Sequence, residues 1–332
     1  MENIIKYVIL VLFIAAVGAL LFMAGYSRSR TLALYDRTGQ AARTGQSAPQ
    51  VPSDVREGSN PAAPAAQAPV LSPGDKQADG AAKKKALQYA KEHPEAAEKQ
   101  IAEMKKYLTL PYGLSPEAAR EHMLLLAAAG EEEKKPGARK KEAETITMGV
   151  YPQREGVPED PIEWRIIDRL DGNTVFVVSK YVLEYKPYDD NREKTSLAYF
   201  WYRSTLKEWL DGNFYNSAFS EEEKTRILTS NIIQQSGANV KGRVFVLHTE
   251  EAKRFFRDDR DRVCLPTERA KAQKPRDPGI GDSGLWWARS SDATPVGSGL
   301  GAVTGNGAVI DSMGYAGLYY LGVRPAMWVR LR

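Results

Sequence analysis

Residues 7–25 run nineteen positions without a charged side chain. A helix over them is about 28 Å long, close to the hydrocarbon thickness of a bilayer. A helix also satisfies its own backbone groups, which lipid requires. The run is longer than the apolar core of a signal peptide, and Tyr26-Ser27-Arg28 behind it is a poor cleavage site. The reading is an uncleaved transmembrane helix over 4–25, with the membrane as its partner. Lys6 precedes the run and Arg28, Arg30, Arg37 and Arg43 follow it. Positive charge alone would keep the C-terminal side in the cytoplasm. An N-terminal anchor followed by a Pro/Ala-rich segment, as here, is common in exported proteins, so the expectation leans to an extracytoplasmic domain.

Behind the anchor the composition changes twice. Residues 26–82 form a flexible Pro/Ala-rich stalk, with Pro49, Pro52, Pro61, Pro64, Pro69 and Pro73 among Ala, Gln, Ser and Gly. Such a stretch buries too little apolar area to offset the entropy of ordering it. Residues 83–130 are Ala-, Lys- and Glu-rich with sparse apolar positions. Pro94 starts or kinks a helix there. Ser115-Pro116-Glu117 is a helix start with a serine cap and proline in the first turn, and Gly130 closes that helix. This is a short helical spacer. Residues 131–144 are a charged linker.

From Thr145 the pattern is α+β. Ile162, Trp164 and Ile166 alternate with charged residues, which marks a half-buried strand. Asp171-Gly172-Asn173 is a hairpin turn, and residues 174–179 are the return strand. Ser204 caps a helix carrying Leu206, Trp209 and Leu210 and ended by Gly212. Ser220 with Glu223 forms a capping box for a helix containing Ile227 and Leu228. Residues 243–247 are a short strand, and Thr249 opens a helix presenting Phe255 and Phe256. Gly305-Asn306-Gly307 is a tight turn between residues 302–304 and 308–310.

Composition removes several classes of function. Residues 145–332 hold 26 Lys and Arg against 25 Asp and Glu, too balanced for a domain that draws its affinity from phosphates. No nucleic-acid partner is expected. Cys264 is alone, so there is no intrachain disulfide and no cysteine-based metal site. His93, His122 and His248 have no metal-ligand spacing. No cofactor and no metal are called for.

Several segments together resemble a bacterial domain family of unknown function, often found behind a membrane helix. They are Gly149-Val150-Tyr151-Pro152-Gln153, Pro161-Ile162-Glu163-Trp164-Arg165 and the stretch from Ser204 to Phe219. Trp286-Trp287-Ala288-Arg289-Ser290 and Gly322-Val323-Arg324-Pro325-Ala326-Met327-Trp328 complete the set. The order of elements is also similar to the C-type-lectin-like fold shared by the formylglycine-generating enzymes. That resemblance implies a C-type-lectin-like α+β domain over 145–332, behind the anchor, stalk and spacer. The chain lacks the cysteine pair of those oxidases and the Glu-Pro-Asn and Trp-Asn-Asp tripeptides of calcium-dependent lectins.

The candidate ligand-binding residues are Trp286, Trp287, Arg289, Arg324 and Trp328. The tryptophans either pack in or at the edge of the core or form a ligand platform; of two adjacent ones on a strand, one points in and one out, and the outward one is the candidate for a ligand. Each arginine binds either an anionic ligand or an internal carboxylate or carbonyl. No catalytic residue is assigned. Asp282, Asp292 and Asp311 fit no calcium-loop spacing, and nothing links Cys264 to His248 as nucleophile and base. The expectation is a membrane-anchored ligand-binding or protein-interaction module, not an enzyme. The alternatives are an enzyme of formylglycine-generating-enzyme-like fold and a structural cell-envelope protein.

Overall fold

The structure is a computed structural model that describes residues 73–133, 144–190, 200–233, 239–273, 284–294, 298–311 and 321–332. The expected membrane helix over 4–25, most of the stalk and most of the charged linker lie outside these residues. Among the described residues, no helix is long and apolar enough to cross a membrane.

Among the described residues three helices come first: α1 (Pro73–Glu92), α2 (Pro94–Met104) and, after the two-residue strand β1 (Leu110–Pro111), α3 (Pro116–Glu133). The first begins inside the segment read as stalk. Ala97, Ile101, Met104 and Leu108 follow one another at helical spacing and bury a single face, against Met123, Leu124 and Ala127 of α3. Ser115 Oγ accepts the Ala118 N–H at 3.1 Å, the expected cap. Gly130 does not close α3, which runs on to Glu133. A glycine inside a helix costs about 0.5–1 kcal/mol relative to alanine.

The strand-rich part is mixed α+β. Its N-terminal strands are β2 (Thr145–Val150), β3 (Pro161–Arg169), β4 (Thr174–Ser179) and β5 (Glu184–Lys186). The β3–β4 turn is held by Asp171, whose Oδ1 accepts from Asn173 N at 2.8 Å and Thr174 N at 2.7 Å. Helices α4 (Thr205–Trp209), α5 (Tyr215–Ala218) and α6 (Glu221–Arg226) lead into β6 (Ile227–Leu228), β7 (Ser230–Ile233) and β8 (Asn239–Gly242). Next come α7 (Thr249–Phe255), α8 (Asp259–Arg262) and α9 (Glu268–Gln273), then β9 (Trp286–Thr294), β10 (Ser298–Val303), β11 (Val309–Ile310), β12 (Leu321–Val323) and β13 (Ala326–Arg330). One five-stranded sheet has the order β2-β3-β4-β13-β6 and the other β11-β10-β9-β12-β5.

Several local expectations hold. Ser204 caps α4 by accepting from Lys207 N, and Ser220 and Glu223 form a full capping box on α6. The Gly305–Gly307 turn joins β10 to β11 in the expected register, Ala302 opposite Ile310. Others do not. Gly212 does not stop its helix, because a π turn over Leu210–Phe214 carries it into α5. Ile227 and Leu228 leave α6 to pair with β13, where burial against Val329 and Trp328 outweighs helix propensity. Residues 243–247 form no ladder strand. Val244 to Leu247 are fully buried; Phe245 bridges to Ala326 and the Leu247 carbonyl accepts the Arg289 N–H at 2.8 Å.

The helical segment is not an appended spacer. Strand β1 pairs with β7 (Leu110 opposite Asn231, Pro111 opposite Ser230), and β8 completes a three-stranded sheet shared by both parts. His122 of α3 meets Asp168 of β3 at 2.8 Å, and the Arg254 Nε of α7 donates to the Tyr107 hydroxyl at 3.0 Å.

Candidate functional site

The five residues selected from the sequence all lie inside the domain. Trp286, Trp287 and Trp328 are 0% exposed, and Arg289 and Arg324 are 2% exposed. Neither neighbouring tryptophan points to solvent, because both faces of β9 are covered. Trp286 packs toward Phe256 at 6.5 Å and donates its indole N–H to Arg262 O. Trp287 packs edge-on against Tyr188 at 5.4 Å and donates to Lys186 O at 2.7 Å. Period-two alternation separates the two rings, but it does not decide whether the second face is wet. None of the five presents side-chain surface to a ligand.

The two arginines hold internal acceptors. Arg289 donates through Nε to Val246 O at 2.8 Å, and through one terminal nitrogen to Thr109 Oγ1 at 2.8 Å and Glu251 Oε2 at 3.1 Å. Burial pulls its pKa down and the Glu251 charge opposes that. Glu251 is saturated by donors: Oε1 accepts the Thr109 N–H at 2.7 Å, and Oε2 also accepts the His248 N–H at 2.7 Å. Arg324 donates from Nε to Ser179 O at 2.8 Å and lies over the Phe256 and Trp286 rings at 5.0 and 5.2 Å. Burial lowers its pKa as well.

Thr109 is the hub of this network, and sequence reading passed over it. Its N–H goes to Glu251, its hydroxyl accepts from Arg289, and its carbonyl accepts the Trp328 indole N–H at 2.8 Å. Nothing in Leu108-Thr109-Leu110 marks it, since its partners lie 142, 180 and 219 residues further on.

The remaining chemical residues have structural roles. His248 caps α7, its Nδ1 accepting the Glu250 N–H at 3.1 Å, and it stacks on Tyr107. Burial and the Arg289 and Lys253 charges depress its pKa, which fits a neutral acceptor ring. Burial raises the Cys264 thiol, which donates to Lys180 O at 3.3 Å. Asp311 pairs with Lys253 at 2.8 Å, Asp292 falls on β9, and Asp282 lies outside the described residues. Among the described residues, no three His, Cys, Asp or Glu side chains are placed to hold a metal. In the Gly149–Gln153 motif, Gly149 has φ +71° and donates its N–H to Glu223 Oε1 at 2.7 Å. Tyr151 donates to Glu184 at 2.6 Å, and burial followed by that carboxylate pushes its pKa far up.

An open concavity exists elsewhere, between α2, the segment around Thr109, the first half of α3 and the end of β7. It is a cleft of about 400 Å³. Its buried side is made by Met104, Leu108 and Met123, with Leu110, Ala119 and Ile233 half-buried around them. Pro116, Lys105, Glu117 and Arg120 are exposed at its mouth. Arg120 is held by Glu98, whereas Lys105 and Glu117 make no ion pair among the described residues. Leu108 and Leu110 face this cleft on either side of Thr109, whose polar groups all turn to the other part of the molecule.

No curated protein and no solved structure matches the chain. Residues 172–331 match the model of a family described as a domain of unknown function (DUF6273).

Proposed function

We propose that the protein is a membrane-tethered binding module whose receptive surface is the cleft between α2, α3 and β7. The observation that carries this reading is the cleft itself. Its volume of about 400 Å³ falls in the range usual for ligand sites, and its largely apolar lining with a few charged groups at the mouth supports the reading. Two methionines in its wall suit a surface that adapts to its occupant. The tether is the uncharged run over residues 7–25, and the C-type-lectin-like arrangement is proposed for the strand-rich part. Support for that arrangement is the return of β13 into the sheet begun by β2, β3 and β4.

The test is saturable binding of an apolar fluorophore, N-phenyl-1-naphthylamine, to the full chain. Binding is expected to saturate at one site and to be lost in Ala119→Trp, which fills the cleft. A signal without a saturable component, or one untouched by Ala119→Trp, overturns the reading.

A second reading, a structural component of the cell envelope, is favoured by the burial of both arginines and all three tryptophans. Enzymatic chemistry at those residues has less support, because Glu251 is already filled with internal donors.

A further inference from the structure

Of the two buried arginines, one is neutralised inside the fold and the other is not. Arg289 has the Glu251 carboxylate at 3.1 Å. Arg324, on the connection between β12 and β13, is just as buried at 2% exposed. No carboxylate among the described residues pairs with it, and Asp261 of α8 acts on it only from further off. Asp261 is itself taken up by Arg165 at 2.8 Å and Arg257 at 3.2 Å. The surroundings add positive charge instead, since Arg165 of β3 and Arg324 lie over the same Phe256 ring at 4.8 and 5.0 Å. Cys264 is no counter-charge, because burial holds it as a thiol that donates to Lys180 O. A guanidinium cannot shed its proton to escape the cost of burial. The faces of Phe256 and Trp286 offset part of that cost but carry no negative charge. The NH1 of Arg324 and the Nε of Arg165 are also buried without a hydrogen-bond acceptor among the described residues. A water can fill such a donor but does not balance the charge.

We propose that an inorganic anion of the halide class, such as chloride, is held inside the fold at Arg324 NH1, beside Phe256 and Trp286. The few donors select the class. A carboxylate or phosphate brings several oxygens that each need a donor once desolvated, whereas a monatomic ion is satisfied by one or two N–H groups. Because the guanidinium and both rings are covered, this is an ion taken up as the domain folds, not a ligand met at the surface.

The experiment uses the purified full chain at constant ionic strength, with sodium gluconate replaced stepwise by sodium chloride. The Tm is expected to rise saturably, by about 3–6 °C at a tenfold excess over the Kd. In Arg324→Met it is expected to be indifferent to chloride. Iodide is the second probe, because a heavy ion quenches a neighbouring indole and the Trp286 ring lies 5.2 Å from the Arg324 guanidinium. Saturable quenching is expected, displaced by chloride and lost in Trp286→Phe. That variant keeps both arginines, so it reads the site if Arg324→Met fails to fold. A parent Tm independent of chloride overturns the proposal. So does a chloride effect that persists in folded Arg324→Met, or saturable quenching that Trp286→Phe leaves intact, since either places the ion elsewhere.

Discussion

The indole N–H of Trp328 is donated to the backbone carbonyl of Thr109 at 2.8 Å, tying β13 of the β2-β3-β4-β13-β6 sheet to the segment between α2 and α3. Thr109 also accepts from Arg289 and donates to Glu251, so one residue of the helical part satisfies three buried groups of the strand-rich part. Burying polar groups is tolerated only when they are paired. The two parts are therefore one folding unit, and their energetics can be probed at a few positions.

Glu251→Gln removes the negative partner of a guanidinium that is itself 2% exposed. Removing one member of a buried ion pair costs about 3–5 kcal/mol. Equilibrium unfolding in urea is expected to show a loss of that size, and Thr109→Val a smaller one of about 1–3 kcal/mol from the stranded Arg289 donor. A Glu251→Gln variant as stable as the parent contradicts the network.

Arg324 is held by one carbonyl and two ring faces, and its NH1 is buried without a hydrogen-bond partner. Arg324→Ala opens a cavity beside Phe256 and Trp286 and is expected to destabilise by about 2–5 kcal/mol. Arg324→Met keeps the volume and removes the buried charge, so it is expected to be clearly milder. Thermal unfolding of the two variants side by side decides this, and equal losses would assign the role to the charge.

His122 gives stability a pH dependence. Burial lowers its pKa, but the Asp168 charge and their 2.8 Å hydrogen bond more than offset this, and the net shift is upward from 6.5. A raised folded-state pKa stabilises fully below the unfolded value, and the gain is lost as pH rises through the folded value. Unfolding free energy is expected to fall as pH rises from about 6.5, and His122→Gln to flatten that fall. A rise over the same window in the parent would mean that His122 is neutral when folded.

Family boundaries and folding boundaries differ. The family match begins at residue 172, in the turn between β3 and β4, and so leaves out β2, β3 and Thr109. A fragment of residues 172–332 loses one side of the β4 ladder and is expected to be unfolded by near-ultraviolet circular dichroism. A fragment of residues 73–332 is expected to fold. Cooperative unfolding of the shorter fragment would refute the integration described above.

Placement in the cell is tested by protease accessibility. If residues 7–25 act as the proposed tether and lead outward, protease added to intact cells with any outer membrane opened is expected to digest the C-terminal part. Protection until lysis would put that part in the cytoplasm, as Arg28, Arg30, Arg37 and Arg43 favour.

Much of the local architecture was legible from sequence, because caps and turns act over three or four residues. Ser204, Ser220 with Glu223, Asp171-Gly172-Asn173 and Gly305-Asn306-Gly307 each carry their own geometry. Gly130 and Gly212, read as helix ends, were local failures, and the larger failures were non-local. Trp286 and Trp287 read as one inward and one outward ring, but Phe256 on one side and Tyr188 on the other bury both. The cleft joins Ile233 to residues more than a hundred positions earlier, and no pattern along the chain announces such a meeting. Gly301 shows the same limit. A Cβ there would come within 2.2 Å of the Thr249 methyl, so its smallness lets α7 lie close on β10, which no local pattern announces.

The sequence distances within the Thr109 network bear on the order of assembly. Its partners Glu251, Arg289 and Trp328 are separated from it by long stretches that must be brought to heel before any of the three bonds can close, and loop closure of that kind slows folding. Variants at Thr109 are therefore expected to slow folding as well as weaken the finished protein, because the contacts they remove are among those that span the greatest lengths of chain.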